Sequence, residues 1–276
     1  MALWFASLPA CSTLSPPEAE RAEAEAQTRV NFEQQPLGPY TDERLRQDWG
    51  AVAWSALHGR AHIVTDETAG GQALALSYPA GSVGPAQGGG QFLVPLAPAT
   101  EKWLRYRVKF EPGFDFRLGG KLPGLNSGRG QYSGGNLPRA GEGWSARCVW
   151  GEGGQINLYL YTVETAGPWG DVLPLGATAI AEPGRWHTLT QRIRLNTPGA
   201  ADGVLEVWVD GKRVLSQGQR RWRSGDQGLI DSLFFSTFHG GGDAAWAPRV
   251  DGQALFDDFV ISDRPWADLS TADARP

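Results

Sequence analysis

From Val30 onward the chain alternates short apolar stretches with clusters of Gly, Pro and Asn, and several stretches keep a two-residue period. Ala73 to Tyr78, Trp103 to Phe110 and Trp186 to Leu195 read as strands, with Leu104, Tyr106, Val108 and Phe110 on one face and Arg105, Arg107 and Lys109 on the other. Val204 to Leu215 predicts a hairpin, because the dipeptide Asp210-Gly211 interrupts an alternating run. Leu229 to Phe238 and Ala254 to Ser262 supply two further strands. No sustained 3.6-residue period follows residue 29, and no internal repeat is found. Many antiparallel strands in one long domain predict an all-β fold: a β-jelly-roll sandwich of two antiparallel sheets with a concave ligand-binding face.

The two ends differ from this pattern. Met1 to Cys11 is apolar and ends Leu8-Pro9-Ala10-Cys11, similar to the tail of a bacterial lipoprotein signal, although the basic n-region is missing. It predicts an exported chain (secreted, periplasmic or outer-membrane) with a lipid anchor at Cys11. Ser15 to Arg29 is rich in Glu, Ala and Arg and reads as a tether. The expected organisation is a leader and acidic tether over 1–29, a β-jelly-roll domain over 30–265 and a tail over 266–276. No other segment is long and apolar enough to span a membrane.

Composition sharpens this picture in three places. The 37 glycines and 19 prolines among 276 residues call for many turns, consistent with short strands. Twelve tryptophans are available both for the core and for stacking on pyranose rings. The net charge of −5 gives no reason to expect nucleic acid, yet Lys102 to Arg147 holds nine Lys or Arg against three Asp or Glu. Such a positive stripe on an acidic protein focuses an anionic ligand. Cys11 and Cys148 are unlike partners, and Cys148 reads as a buried apolar residue with no disulfide. His58, His62, His187 and His239 are scattered, so neither metal nor cofactor is expected.

The candidate chemistry lies between Lys121 and Tyr161. The segments are Gly119-Gly120-Lys121-Leu122-Pro123-Gly124, Trp144-Ser145-Ala146-Arg147 and Asn157-Leu158-Tyr159-Leu160-Tyr161. In strand geometry Ser145 and Arg147 share a face, as do Asn157, Tyr159 and Tyr161. Neighbouring strands would then present a guanidinium, two phenols, a hydroxyl and an amide on one surface, suited to a polyhydroxylated anion.

This pattern resembles the active site of polysaccharide lyase family 14, which contains alginate lyases and glucuronan-type lyases. Asp202-Gly203, Trp208 to Gly211, Ser236 to Gly241 and Phe256 to Phe259 add to the resemblance, which spans roughly residues 75 to 262. It implies a β-jelly-roll lyase acting as a monomer on an acidic, uronate-containing polysaccharide. By resemblance Lys121, Tyr159 and Tyr161 form the catalytic centre, with Ser145 and Arg147 beside them. The chemistry suits these residue types: removal of the C5 proton of a uronate needs a cation near its carboxylate and a base nearby. Which of Tyr159, Tyr161 and Lys121 is base and which is acid stays open at this level. Asn157, Gln87, Gln91 and His239 are candidate substrate contacts, Gly88 to Gly90 and Gly240 to Gly242 candidate groove walls, and Asn126 to Asn136 a candidate flap. Glu164 and Glu206 are glycosidase carboxylates by type only. A non-catalytic carbohydrate-binding jelly-roll is the alternative.

Overall fold

The computed structural model describes residues 27–266. Sixteen strands form two antiparallel sheets that pack face to face. The first contains β1 (Gln27–Val30), β2 (Gly38–Pro39), β4 (Ala61–Asp66), β5 (Gly71–Tyr78), β7 (Glu101–Phe110), β12 (Trp186–Arg194), β13 (Gly203–Val209), β14 (Lys212–Arg220) and β16 (Gly252–Ser262), in the order β14-β13-β12-β7-β16-β5-β4-β2 with β1 also on β16. The second contains β3 (Trp54–Ala56), β6 (Gly90–Ala99), β8 (Gly119–Ser127), β9 (Trp144–Gly151), β10 (Ile156–Tyr161), β11 (Asp171–Pro174) and β15 (Ile230–His239), in the order β11-β10-β9-β8-β15-β6-β3. The two-sheet antiparallel architecture expected from the alternation is what forms.

Each predicted strand has its counterpart. In β7 the alternation places Leu104, Tyr106, Val108 and Phe110 in the core, while Arg105 and Arg107 face outward. The hairpin forms between β13 and β14, and both turn residues take positive φ, Asp210 at 51° and Gly211 at 75°, the conformation that matches the twist of the strands. Cys148 is buried in the core as a free thiol, pushed up to about 12 by burial. Between the sheets Phe92 stacks on Phe235 at 4.3 Å, and Phe256, Phe259 and Trp49 close around them.

Two expectations need correction. An α-helix, α1 (Asp42–Trp49), follows β2 although no helical period is visible there. It has only eight residues and buries only Leu45 and Trp49, one i,i+4 pair, so there is no run long enough to show a period. Its ends are set by capping: Thr41 accepts the Arg44 N–H, and Gly50 at φ 70° ends it. Strand order also begins at Gln27, inside the segment read as tether, because Gln27–Val30 pairs with the end of β16 and buries Val30. Cys11 and most of the tether and tail lie outside the described residues.

Candidate active site

The concave face of the second sheet is built from residues whose strand neighbours point into the core. On β10, Ile156, Leu158 and Leu160 are core residues, so Asn157, Tyr159 and Tyr161 face the groove. On β9, Trp144, Ala146, Cys148 and Trp150 are core, which leaves Ser145, Arg147 and Val149 on the groove side. Tyr159 pairs with Arg147, and Tyr161 with Ser145. On β8 a bulge between Lys121 and Gly124 shifts the register, and Lys121 comes to lie opposite Val149. Gln191, reaching across from β12, stabilises this irregular stretch: its Oε1 accepts the Leu125 N–H and its amide donates to the Ala146 carbonyl, both at 3.2 Å. Gly124 has no room for a side chain, since a Cβ would run into the Ala146 carbonyl oxygen.

The resulting groove encloses about 930 Å³. Its floor carries Lys121, Arg147, Asn157, Tyr159, Tyr161 and Gln91. Gly130, Ser133, Gly134, Trp169 and Gly170 wall one end of the strands, and Gly84, Pro85, Gly241, Gly242 and Trp246 wall the other. Among the described residues Lys121 and Arg147 line it, and no Asp or Glu does.

The electrostatics follow from that composition. Lys121 Nζ lies 4.2 Å from the centroid of the Tyr159 ring. Burial, and then the nearby Arg147 charge, pull the Lys121 ammonium down to about 7. Arg147 is 2% exposed and its Nε lacks a hydrogen-bond partner. Burial lowers it to about 10, which leaves it charged at neutral pH. Its Nη1 donates to Ser236 Oγ at 3.3 Å, and the guanidinium carbon stands 5.0 Å from the Phe234 ring centroid. The Tyr159 phenol is pushed above its ordinary range, first by burial and then by its hydrogen bond with Tyr161. The two hydroxyls are 3.3 Å apart, and the Gly135 N–H donates to Tyr161 Oη at 3.1 Å. Tyr161, 1% exposed, therefore holds Tyr159 on one side and the loop 128–143 on the other.

Not every expected contact reaches this groove. Ser145 is fully buried and donates to the Tyr132 carbonyl at 2.6 Å, so it fastens the loop instead of facing a ligand. His239 is 1% exposed, packed between Tyr78, Phe114 and Trp150, with Nε2 on the Asp115 carbonyl at 2.8 Å. Gln87 spends its amide oxygen on the Val83 N–H within its own turn and does not line the groove. Gly241 and Gly242 are wall residues as expected, whereas Gly84 and Pro85 take the position foreseen for Gly88 to Gly90. Glu206 belongs to an ion-pair cluster on the other sheet, with Arg192 and Arg213, and Glu164 pairs with Arg220. The positive stripe also divides: Lys102, Arg105, Arg107 and Lys109 lie on β7 of the first sheet, and only Lys121 and Arg147 enter the groove. Ser236, which joins Gln91 to Arg147, was missed; its position two residues from Phe234 in β15 is the signal that would have found it.

A family model for polysaccharide lyase 14 matches residues 66–259. The chain belongs to the polysaccharide lyase 14 family. Among solved structures this lyase is similar to alginate lyase Aly36B, at 25% identity over 86% of this chain and 96% of that one, with a TM-score of 0.74. A double variant of Aly36B in complex with alginate trisaccharide matches at 25% identity over 87% and 99%, with a TM-score of 0.75. The marine PL-14 alginate lyase from Aplysia kurodai matches at 23% identity over 83% and 98%, with a TM-score of 0.71. Comparison with curated proteins finds no match.

Proposed function

We propose that this lyase cleaves a uronate-containing polysaccharide, alginate or glucuronan in type, by β-elimination, with Lys121 as base, Tyr159 as acid and Arg147 as the carboxylate's counter-charge. The observation that carries the reading is the pairing, in a groove lined by no carboxylate among the described residues, of a lysine lowered to about 7 with a tyrosine raised above its ordinary range. An amine that titrates near neutral pH is available unprotonated, and a phenol with a raised pKa keeps its proton until a strong base forms beside it.

The steps balance without water. The neutral Lys121 amine takes the C5 proton of a uronate whose carboxylate is held by Arg147. As the C5–H electrons form the C4–C5 double bond, the C4–O bond breaks and the departing glycosidic oxygen takes the Tyr159 proton. The lysine ammonium then returns a proton to the tyrosine phenolate, and both groups are reset. Arg147 works at the point where negative charge accumulates on the carboxylate; in a partly closed groove a charge pair at 4 Å is worth ~4 kcal/mol against ~1 kcal/mol in open water. Tyr161 orients Tyr159 through the hydroxyl contact at 3.3 Å. Asn157 and Gln91, on the groove floor, supply amide contacts to sugar hydroxyls. Aly36B, bound to alginate trisaccharide, supports alginate as the first polymer to try.

Incubation with alginate and with glucuronan, following the ultraviolet absorbance of the unsaturated product, tests this assignment. Product should form with the unaltered chain and fall by ~10²–10⁴-fold in Lys121→Ala and in Tyr159→Phe. Saturable binding without product, unchanged in both variants, would overturn it. The apolar leader supports action outside the cytoplasm, with lipidation of Cys11 as the anchor, and no helix among the described residues is long and apolar enough to cross a membrane.

A further inference from the structure

The pairing register of the second sheet lays out one unbroken row across all seven of its strands. Val172 on β11 pairs with Tyr159 on β10, and Tyr159 with Arg147 on β9. Arg147 pairs with Gly124 on β8, Gly124 with Phe234 on β15, Phe234 with Leu93 on β6, and Leu93 with Trp54 on β3. Directly paired residues share a face, so the row crosses the groove floor from edge to edge. The walls stand at the two ends of the strands, which leaves the groove open along this row.

The row is chemically lopsided. Its charged and phenolic members, Arg147 and Tyr159, stand next to the β11 edge. The other half is apolar, and Trp54 closes it. Trp54 is 37% exposed, lines the groove, and meets Phe234 edge to face at 5.6 Å between centroids. Phe234 in turn lies under the Arg147 guanidinium. Of the seven large hydrophobic side chains left exposed among the described residues, four (Trp54, Leu118, Trp169 and Val172) line this one groove. An indole at the rim of a groove with a cationic floor suits a sugar that is apolar on its ring face and anionic at its carboxylate.

We propose that Trp54 forms a distal uronate-stacking subsite, on the long arm of an asymmetric groove that extends four strand steps from Arg147 on one side and only two on the other. This rests on the lyase reading for the position of the cleavage centre. At ~4.8 Å per strand the backbone row runs roughly 19 Å on the long arm against roughly 10 Å on the short one. The side chains lean together, however, Trp54 on Phe234 at 5.6 Å and Phe234 on Arg147 at 5.0 Å, so the indole meets the second sugar beyond the one that Arg147 holds. Trp54 therefore contributes to binding of oligouronates long enough to reach that second sugar, and not of a dimer held at Arg147.

The test measures binding in the Lys121→Ala background, where no turnover interferes, by calorimetry with oligouronates of two and six residues. Trp54→Ala should weaken the hexamer about tenfold, the size expected for one stacked ring, and leave the dimer within about twofold. Trp54→Phe, which keeps an aromatic face and the contact with Phe234, should retain most hexamer affinity and guards against loss of the fold. Equal weakening of both lengths, no change in either, or a background that binds hexamer no better than dimer would overturn the subsite. These binding results stand apart from the lyase assignment, which fails on its own terms if the unaltered chain gives no unsaturated product.

Discussion

The two sheets of this lyase carry the same kinds of residue on their outward faces, cations beside aromatic rings, and treat them in opposite ways. On the first sheet each well-placed cation meets a carboxylate. Lys109, packed against Trp186, pairs with Asp66 and with Glu111 at 2.9 Å, Arg107 with Asp258 at 3.0 Å, and Arg192 with Glu101 at 2.8 Å and Glu206 at 2.6 Å. Burial alone would lower Lys109 and Arg192, but hydrogen bonds to their carboxylates outweigh it and both are raised. On the second sheet the burial of Lys121 and Arg147 is offset by no carboxylate among the described residues that line the groove, and both are lowered. Neutralised charge makes a surface; charge left without its counter-ion makes a site for an anion and a base that works near neutral pH.

The largest effect that would break this contrast is at Lys121. Lys121→Ala should cut kcat/KM by ~10²–10⁴-fold, and Lys121→Arg should not restore it, because a guanidinium keeps its proton throughout the working range. Rescue by arginine would show that charge, not proton transfer, is what the position supplies. The matching change on the first sheet is Lys109→Met, which leaves Asp66 buried and unpaired. It should cost ~3–5 kcal/mol of stability in denaturant unfolding while the folded fraction keeps its activity per molecule. A loss of specific activity as large as at Lys121 would mean that the two faces are not separable.

A smaller effect concerns the acid limb of the pH profile. With Lys121 as base, kcat/KM should rise as pH passes through about 7, where the ammonium gives up its proton. Arg147 lowers Lys121 by charge repulsion, so Arg147→Gln should move this limb to higher pH besides weakening the reaction. A limb that stays in place while activity falls would assign Arg147 to binding alone. The same shift has a stability counterpart. Between about 7 and the ordinary lysine range the unfolded chain holds a proton that the folded one has released, so stability rises with pH across that window. Lys121→Met should flatten the rise in urea unfolding measured across it.

How much of this could be read from the chain depends on the range of the interaction involved. Alternation in β7, and the Asp210-Gly211 turn, are local and were legible. So was the shared face of Tyr159 and Tyr161, which strand geometry alone decides, whereas Arg147 joins it through the pairing of β9 with β10. Lys121 reached the same surface only through the bulge in β8 and the support of Gln191, which no local pattern announces. Ser145 was placed on the correct face with the wrong task, because the loop that folds onto it is a tertiary feature. His239 and Gln87 failed for a similar reason: one is covered by aromatic rings from distant segments, the other closes its own turn. Trp54 and Trp169 looked like any other tryptophans, and only the order of strands sets them at the edges of one groove.

The smallest predicted effect comes from a carboxylate of the first sheet that goes without a cation of its own. Asp257 pairs in register with Arg107, yet that arginine bonds to Asp258, which the bulge after Asp257 and a φ of 51° turn outward. Asp257 is left 3% exposed, with Oδ1 lacking a partner. Burial, then the Asp258 charge, push its carboxyl up to about 7. A raised carboxyl means that the folded state keeps a proton which the unfolded state has already lost, so its cost grows as pH climbs from the ordinary carboxylate range to about 7 and is complete above that. Asp257→Asn should therefore raise the melting temperature at pH 8, with a gain that shrinks on acidification and vanishes once Asp257 is protonated in both states. Lyase activity should not change, since Asp257 lies on the sheet away from the groove. A gain that is the same at every pH would mean that the amide helps by packing, and a loss at pH 8 would mean that the carboxylate has a partner worth keeping.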